Sequence, residues 1–453
     1  MKPNTIQPKL KQFDLTMIIV SLVIGVGIFR TPSTVAEHAQ NPTVFYLAWI
    51  IGGLVSICGA LTFAEIGARL PAAGGYYKIF STAYHPVYAF MLNWSQVIIN
   101  AGSSAGVAII GAAYITPVLF PQTTHASSIA NIIAVLIILI LFAINYAGIK
   151  MGARTQNFLS LLKIILILVF CCGIFFSESV ETQTAFLHSS DFNFITALGF
   201  SFISIFFTYG GYQQTVNFGA DIENPQKNIP AAIFKGMLIV ILLYLFLNFT
   251  YVQVLGFETV KNSPLLASAL AGAIFGAAGS KIASIVLFIS VLGFLNTSVM
   301  SNPRVYYAMA EDKILPTIFK KVNSKTQTQE FGLTFFVAVM LVSIFVLGSF
   351  EKIVNYVIFI DSLSLASAAF AVFILRKKSL ETYAGFQLVH IWKYLVPVVF
   401  VVTLLFVTYN TVLSDKISAL YGFIILIAGA PLYFAIKYLL NKETKNEAFD
   451  TIE

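Results

Sequence analysis

Twelve apolar stretches, each near the ~20 residues that cross a bilayer, divide the chain. They lie at about 14–37, 43–68, 85–119, 128–146, 155–176, 194–219, 230–256, 281–310, 331–349, 353–375, 391–413 and 418–440. The third and eighth are long, which predicts tilt or extension beyond the bilayer. The first and sixth are interrupted near their midpoints by glycine, at Ile24-Gly25-Val26-Gly27-Ile28-Phe29 and at Tyr209-Gly210-Gly211-Tyr212. Glycine lowers helix propensity and lets the backbone open. Open backbone inside a membrane persists only where protein or a watery cavity satisfies it. Two such breaks in corresponding positions point to a transport site, although the same glycines also suit close helix packing.

The breaks organise the chain. Residues 14–176 and 194–375 each hold five stretches and each begin with a broken one. An odd number of crossings inverts the second copy, so two inverted five-helix repeats are expected. Residues 391–440 add two helices. Residues 1–13 form a cytoplasmic N-terminal segment, and residues 441–453 a short polar tail expected to be disordered.

Composition agrees. The 453 residues are 58% hydrophobic and only 10% charged, against roughly 25% charged in soluble domains. The net charge of +7 is a topology signal and not a nucleic-acid footprint. With the N-terminus inside, 21 of the 27 lysines and arginines fall on the cytoplasmic side and five outside, as the positive-inside rule requires. Both termini are then cytoplasmic. The expected location is a cell membrane, of the bacterial inner type. The 177–193 loop, expected outside, carries Glu178, Glu181 and Asp191 but no lysine or arginine. No cleavable signal peptide is evident. Cys58, Cys171 and Cys172 lie in apolar spans and read as packing thiols. No cofactor or metal site is expected.

A half-helix beginning at Gly27 would turn unpaired N–H groups toward the membrane centre, where with the helix dipole they suit a carboxylate. A half-helix ending near Tyr209 would leave carbonyls to accept from an ammonium group. Together they would hold the zwitterionic head of an α-amino acid without any charged side chain.

Four segments carry a resemblance to a known family. They are Ile24 to Phe29 with Pro32; Gly59 to Gly67 with Leu70-Pro71 and Gly74-Gly75-Tyr76; Phe207 to Tyr212 with Glu223-Asn224-Pro225 and Asn228-Ile229-Pro230; and Asn302 to Ala310 with Ile314-Leu315-Pro316. In order and placement they resemble the amino acid–polyamine–organocation superfamily, nearest its L-type amino acid transporter-like branch, over about residues 10–380. The resemblance implies an all-α, leucine-transporter-type 5+5 inverted repeat, here with two extra helices, working by alternating access. It assigns the substrate carboxylate to Gly25, Val26 and Gly27. The amine falls to carbonyls around Phe206, Phe207 and Tyr209, with the Phe207 ring as lid. The sequence departs from the family at Val26, where a small polar residue is usual, and at Tyr212, where tryptophan is usual. Gln213 and Gln214 follow, and Gln213 can donate and accept toward a substrate side chain.

Two charges lie within spans. Lys163 sits about 12 Å into the fifth, where a lysine costs about 3 kcal/mol to insert and marks function by default; snorkelling to the cytoplasm is the plainer alternative. By resemblance it occupies the place of a sodium ion, bridging the first break and the eighth helix near Ser290, which argues against sodium coupling. Asp361 sits about 12 Å into the tenth span. It could couple protons, favour a cationic substrate, or be a protonated structural acid. Glu65 and Arg304 lie at cytoplasmic helix ends and are expected to shape an inner gate. Arg30 and Glu37 flank the outer end of the first span.

The leading expectation is a sodium-independent secondary amino acid transporter, acting as an exchanger or a proton-coupled symporter. A polyamine or organic-cation transporter of the same fold is the alternative. A membrane acyltransferase is a distant third, because the five histidines lie in loops or at span ends. Partners are expected to be the substrate and membrane lipid, with no nucleic acid. With no cysteine between the third and fourth spans, no covalently linked accessory chain is supported.

Overall fold

The computed structural model describes residues 5–175, 194–263, 265–346, 350–378, 383, 385–414 and 416–450. The loop 177–193 lies outside them. The described residues are helical throughout, with only two isolated bridges, Leu10 to Ile222 and Ala73 to Phe218. Eight helical stretches are long and apolar enough to cross a membrane; Gln12–Val23, Ala197–Phe206 and Glu330–Phe345 are shorter apolar helices.

The first apolar stretch is α1 (Gln12–Val23), a turn at Gly27–Phe29, and α2 (Thr31–Ala39). Next come α3 (Pro42–Arg69), the short α4 (Gly75–Ala83), α5 (Pro86–Leu119), α6 (Ala126–Tyr146) and α7 (Ile149–Cys172). The sixth stretch is α8 (Phe194–Thr208) followed by tight turns at Tyr212–Asn217 and Gly219–Asp221. The remainder is α9 (Pro225–Leu255), α10 (Phe257–Asn262), α11 (Leu266–Phe275), α12 (Gly279–Glu311), α13 (Glu330–Val346), α14 (Phe350–Lys378), α15 (Trp392–Ser414) and α16 (Lys416–Asp450).

Local chemistry sets these limits. Prolines open α3, α5 and α9, where a missing N–H costs nothing. Asn41 accepts from the Val44 N–H at 2.9 Å and so caps α3. At 33–34 residues, α5 and α12 are about 50 Å long and exceed the hydrocarbon thickness, as their sequences predict. Two features differ from expectation. Helices α4, α10 and α11 lie in segments read as connections. The helix of the last span continues to Asp450, where a disordered tail was expected, because the Lys, Glu and Ala in that segment favour helix.

Two helix groups face one another. One comprises α1, α2, α3, α8 and α9; the other comprises α5, α6, α12 and α13. Helix α7 lies between them, touching α1, α9 and α12. Because lipid tails are as apolar as the side chains, close packing drives this association. At Gly67 of α3 a Cβ would lie 2.9 Å from Ile229 of α9, so the missing side chain admits that contact.

Candidate functional site

Both breaks are present, and they meet. Helix α1 ends when Ile24 leaves helical geometry. The Gly25 N–H turns back to the Val23 carbonyl at 2.9 Å, and Arg30 N–H closes the next turn on Gly27 at 2.9 Å. The N–H groups of Val26 and Gly27 meet no acceptor among the described residues. On the other break, Tyr209 N–H still bonds to Ile205 at 3.0 Å, and then the chain swings away through Gly210 and Gly211. Gly211 has φ +115°, and a Cβ there would stand 2.6 Å from the Leu22 carbonyl oxygen. Only glycine combines that dihedral with that approach. A Cβ at Gly27 would lie 3.3 Å from Thr208 Cγ2, so the breaks touch directly. Tyr244 of α9 fastens them: its hydroxyl donates to the Val23 carbonyl at 2.9 Å and lies 3.4 Å from that of Thr208.

Between the breaks lies a cavity of about 320 Å³. Gly25, Val26 and Gly27 line one side; Phe206, Thr208, Gly210 and Gly211 line another. Asn100 and Ser103 of α5, Val291 and Phe294 of α12, Gln213, Gln214 and Asp361 complete the wall. The α5 and α12 residues were not legible in the sequence as site residues, since nothing local distinguishes them.

The remaining candidates divide. Tyr209 is fully buried, with its ring against Trp49 and Tyr244 at 5.7 and 5.1 Å. Its side chain is core, and it does not line the cavity. Phe206 lines the cavity and packs 6.0 Å from Phe400. The Phe207 side chain lies outside the described residues. Gln213 is committed to its own loop through Oε1, which accepts from the Gly211 N–H at 2.8 Å.

Lys163 is buried, 1% exposed, and does not snorkel. Its ammonium donates to Ser21 Oγ and the Ile24 carbonyl at 2.8 Å each, with the Ser21 carbonyl at 3.3 Å. It supplies donors to the carbonyl-rich end of α1 that the helix itself no longer serves. Its neighbour on α12 is Gly293, where a Cβ would be 2.7 Å from Lys163 Cε. Ser290, expected there, instead donates to the Val286 carbonyl at 2.9 Å. The lysine stem needs the space of a residue without a side chain, which Gly293 provides.

Glu65 and Arg304 occupy separate clusters. Glu65 accepts from Arg69 Nε at 2.9 Å, from Arg376 Nε and Nη2 at 2.8 and 2.7 Å, and from the Leu388 N–H at 3.1 Å. It joins α3 to the end of α14. Arg304 forms a fork with Asp221 at 2.6 and 3.0 Å, joining α12 of one helix group to the turn after the second break. Lys9 and Leu10 N–H both reach the Asp221 carbonyl, at 2.8 and 2.9 Å. Arg30 and Glu37 are exposed. Asp361 accepts from Gln96 Nε2 at 3.1 Å.

A bundle of apolar helices with two broken segments meeting at a central cavity is the architecture of a permease. The chain belongs to the amino acid permease family, whose profile matches residues 10–435. It is therefore a multi-pass membrane transporter of amino acids and not an enzyme. It is 31% identical to the serine/threonine exchanger SteT of Bacillus subtilis, covering 94% of this chain and 95% of that one. It is 26% identical to the human large neutral amino acids transporter small subunit 2, covering 94% and 79%. It is also 26% identical to the human cystine/glutamate transporter, covering 92% and 83%.

Proposed function

We propose that this protein is a sodium-independent amino acid exchanger working by alternating access. The observation that carries the reading is the cavity between the two breaks, into which one side presents backbone N–H groups without acceptors. The N–H groups of Val26 and Gly27 bind the substrate carboxylate, and carbonyls of the last α8 turn bind its amine. The ammonium of Lys163 holds the end of α1 in place of a bound sodium ion. The twelve apolar stretches form twelve crossings, with 14–176 and 194–375 as inverted repeats and both termini in the cytoplasm, in a membrane of the bacterial inner type. The packing of α1 and α3 beside α8 and α9 supports the repeat. The Glu65–Arg376 and Arg304–Asp221 pairs close the cytoplasmic side. No covalently attached partner is invoked.

The deciding experiment is counterflow in proteoliposomes. Radiolabelled amino acid should enter only when amino acid is preloaded inside, with or without sodium. Uptake into empty vesicles driven by a pH gradient would replace exchange by proton symport. A polyamine reading gains from Asp361 but leaves the N–H groups of the first break without an anion to bind.

A further inference from the structure

A second, smaller cavity of about 30 Å³ adjoins the first, and the two share Asn100, Gln213, Gln214 and Asp361. The hydrogen bonds around it fix which way each amide points, because each chain of bonds starts from a group with only one role. An ionised carboxylate only accepts, so Gln96 must offer Asp361 its Nε2, at 3.1 Å; Gln96 Oε1 is left over. The Ser298 carbonyl only accepts, so Asn302 turns Nδ2 to it at 2.8 Å. Asn302 Oδ1 then takes Asn100 Nδ2 at 3.0 Å, and Asn100 Oδ1 is left over. The two cavities therefore offer three acceptors: the Asp361 carboxylate and Asn100 Oδ1 where they join, and Gln96 Oε1 in the smaller one.

No lysine, arginine or histidine pairs with Asp361 among the described residues. Asp361 is half-buried and lines both cavities; a carboxylate there is best served by a counter-charge or several donors, and Gln96 supplies one neutral donor. The Lys163 ammonium is committed elsewhere, at the end of α1. Water can complete its hydrogen bonds, but only a cationic ligand entering the cavity would also bring the counter-charge.

We propose that Asp361, Gln96 and Asn100 form a side-chain subsite that receives the cationic end, ammonium or guanidinium, of a basic amino acid. The inference rests on the proposed function, since it takes the substrate head to be held at the two breaks. A charge-assisted contact of this kind corresponds to roughly 10- to 100-fold in affinity.

The test is competition against counterflow by the reconstituted full-length protein, using L-arginine, L-citrulline, L-ornithine, L-norvaline and agmatine. L-arginine should compete at least tenfold better than L-citrulline, and L-ornithine at least tenfold better than L-norvaline. Asp361→Asn should bring both ratios toward one, and Gln96→Leu should lower them partway. Wild-type ratios at or below one overturn the subsite without requiring any variant to fold. So does an Asp361→Asn protein that keeps the wild-type preference. Agmatine has the side chain without the carboxylate. If it competes as well as L-arginine while the arginine-to-citrulline ratio holds, the headgroup reading fails and the acidic subsite stands.

Discussion

Replacing Lys163 by methionine keeps the unbranched stem as far as Cε and deletes the charged ammonium. Two of the bonds lost are short, at 2.8 Å to Ser21 Oγ and the Ile24 carbonyl. Hydrogen bonds to a charged group contribute about 1.5–3 kcal/mol each, so their loss removes about 3–6 kcal/mol of gross interaction. Against this stands the cost of burying the charge, about 3 kcal/mol on insertion scales, which the variant no longer bears. The net destabilisation is therefore about 0–3 kcal/mol. Transport should suffer far more, because the loss falls on the one segment whose geometry presents the N–H groups of Val26 and Gly27. Thermal unfolding in detergent and counterflow in proteoliposomes separate the two effects: a small shift in Tm with near-complete loss of exchange is expected. Lys163→Arg should not rescue, since a Cβ at Gly293 would already lie 2.8 Å from Lys163 Nζ and a guanidinium is bulkier. Normal exchange by the methionine variant would refute the role assigned to the ammonium.

Three further substitutions bear on the site. Gly211→Ala forces an L side chain to φ +115° and against the Leu22 carbonyl; strain of about 1–3 kcal/mol should appear as a lower Tm and lost uptake, and wild-type behaviour would contradict the close approach. Gly27→Leu pushes carbon into the gap beside Thr208 and should abolish substrate-induced thermal stabilisation, whereas unchanged stabilisation would remove this break from the binding site. Glu65→Gln leaves Arg376 without its buried counter-charge, which costs about 3–5 kcal/mol; a Tm within a degree of wild type would show that the cluster does not join α3 to α14.

The sequence disclosed what is local. Gly25 and Gly27, Gly210 and Gly211, and the isolated charges Lys163 and Asp361 stand out because glycine and charge are conspicuous in apolar surroundings. Partnerships between distant segments were not legible. Tyr244 looks like any aromatic in a membrane helix, yet it fastens both breaks. Gly293 rather than Ser290 meets Lys163 because helix rotation, and not side-chain polarity, decides which residue faces α7. Tyr209 belongs to the core although Thr208 and Gly210 line the cavity, since just past the end of α8 its ring turns to Trp49 and Tyr244. The amide chain from Ser298 through Asn302 to Asn100 joins residues about 200 positions apart, and only folding brings them together.

Because one phenol touches the final carbonyls of both α1 and α8, the parts proposed to grip the substrate head form a single block. A block that keeps its shape offers the same welcome from either face of the membrane. Ligand then gives no preference to one orientation over the other, since only differential affinity shifts such an equilibrium. Net flow is then governed by what waits on each side, and in the exchange proposed above the gradient of one amino acid drives the movement of another.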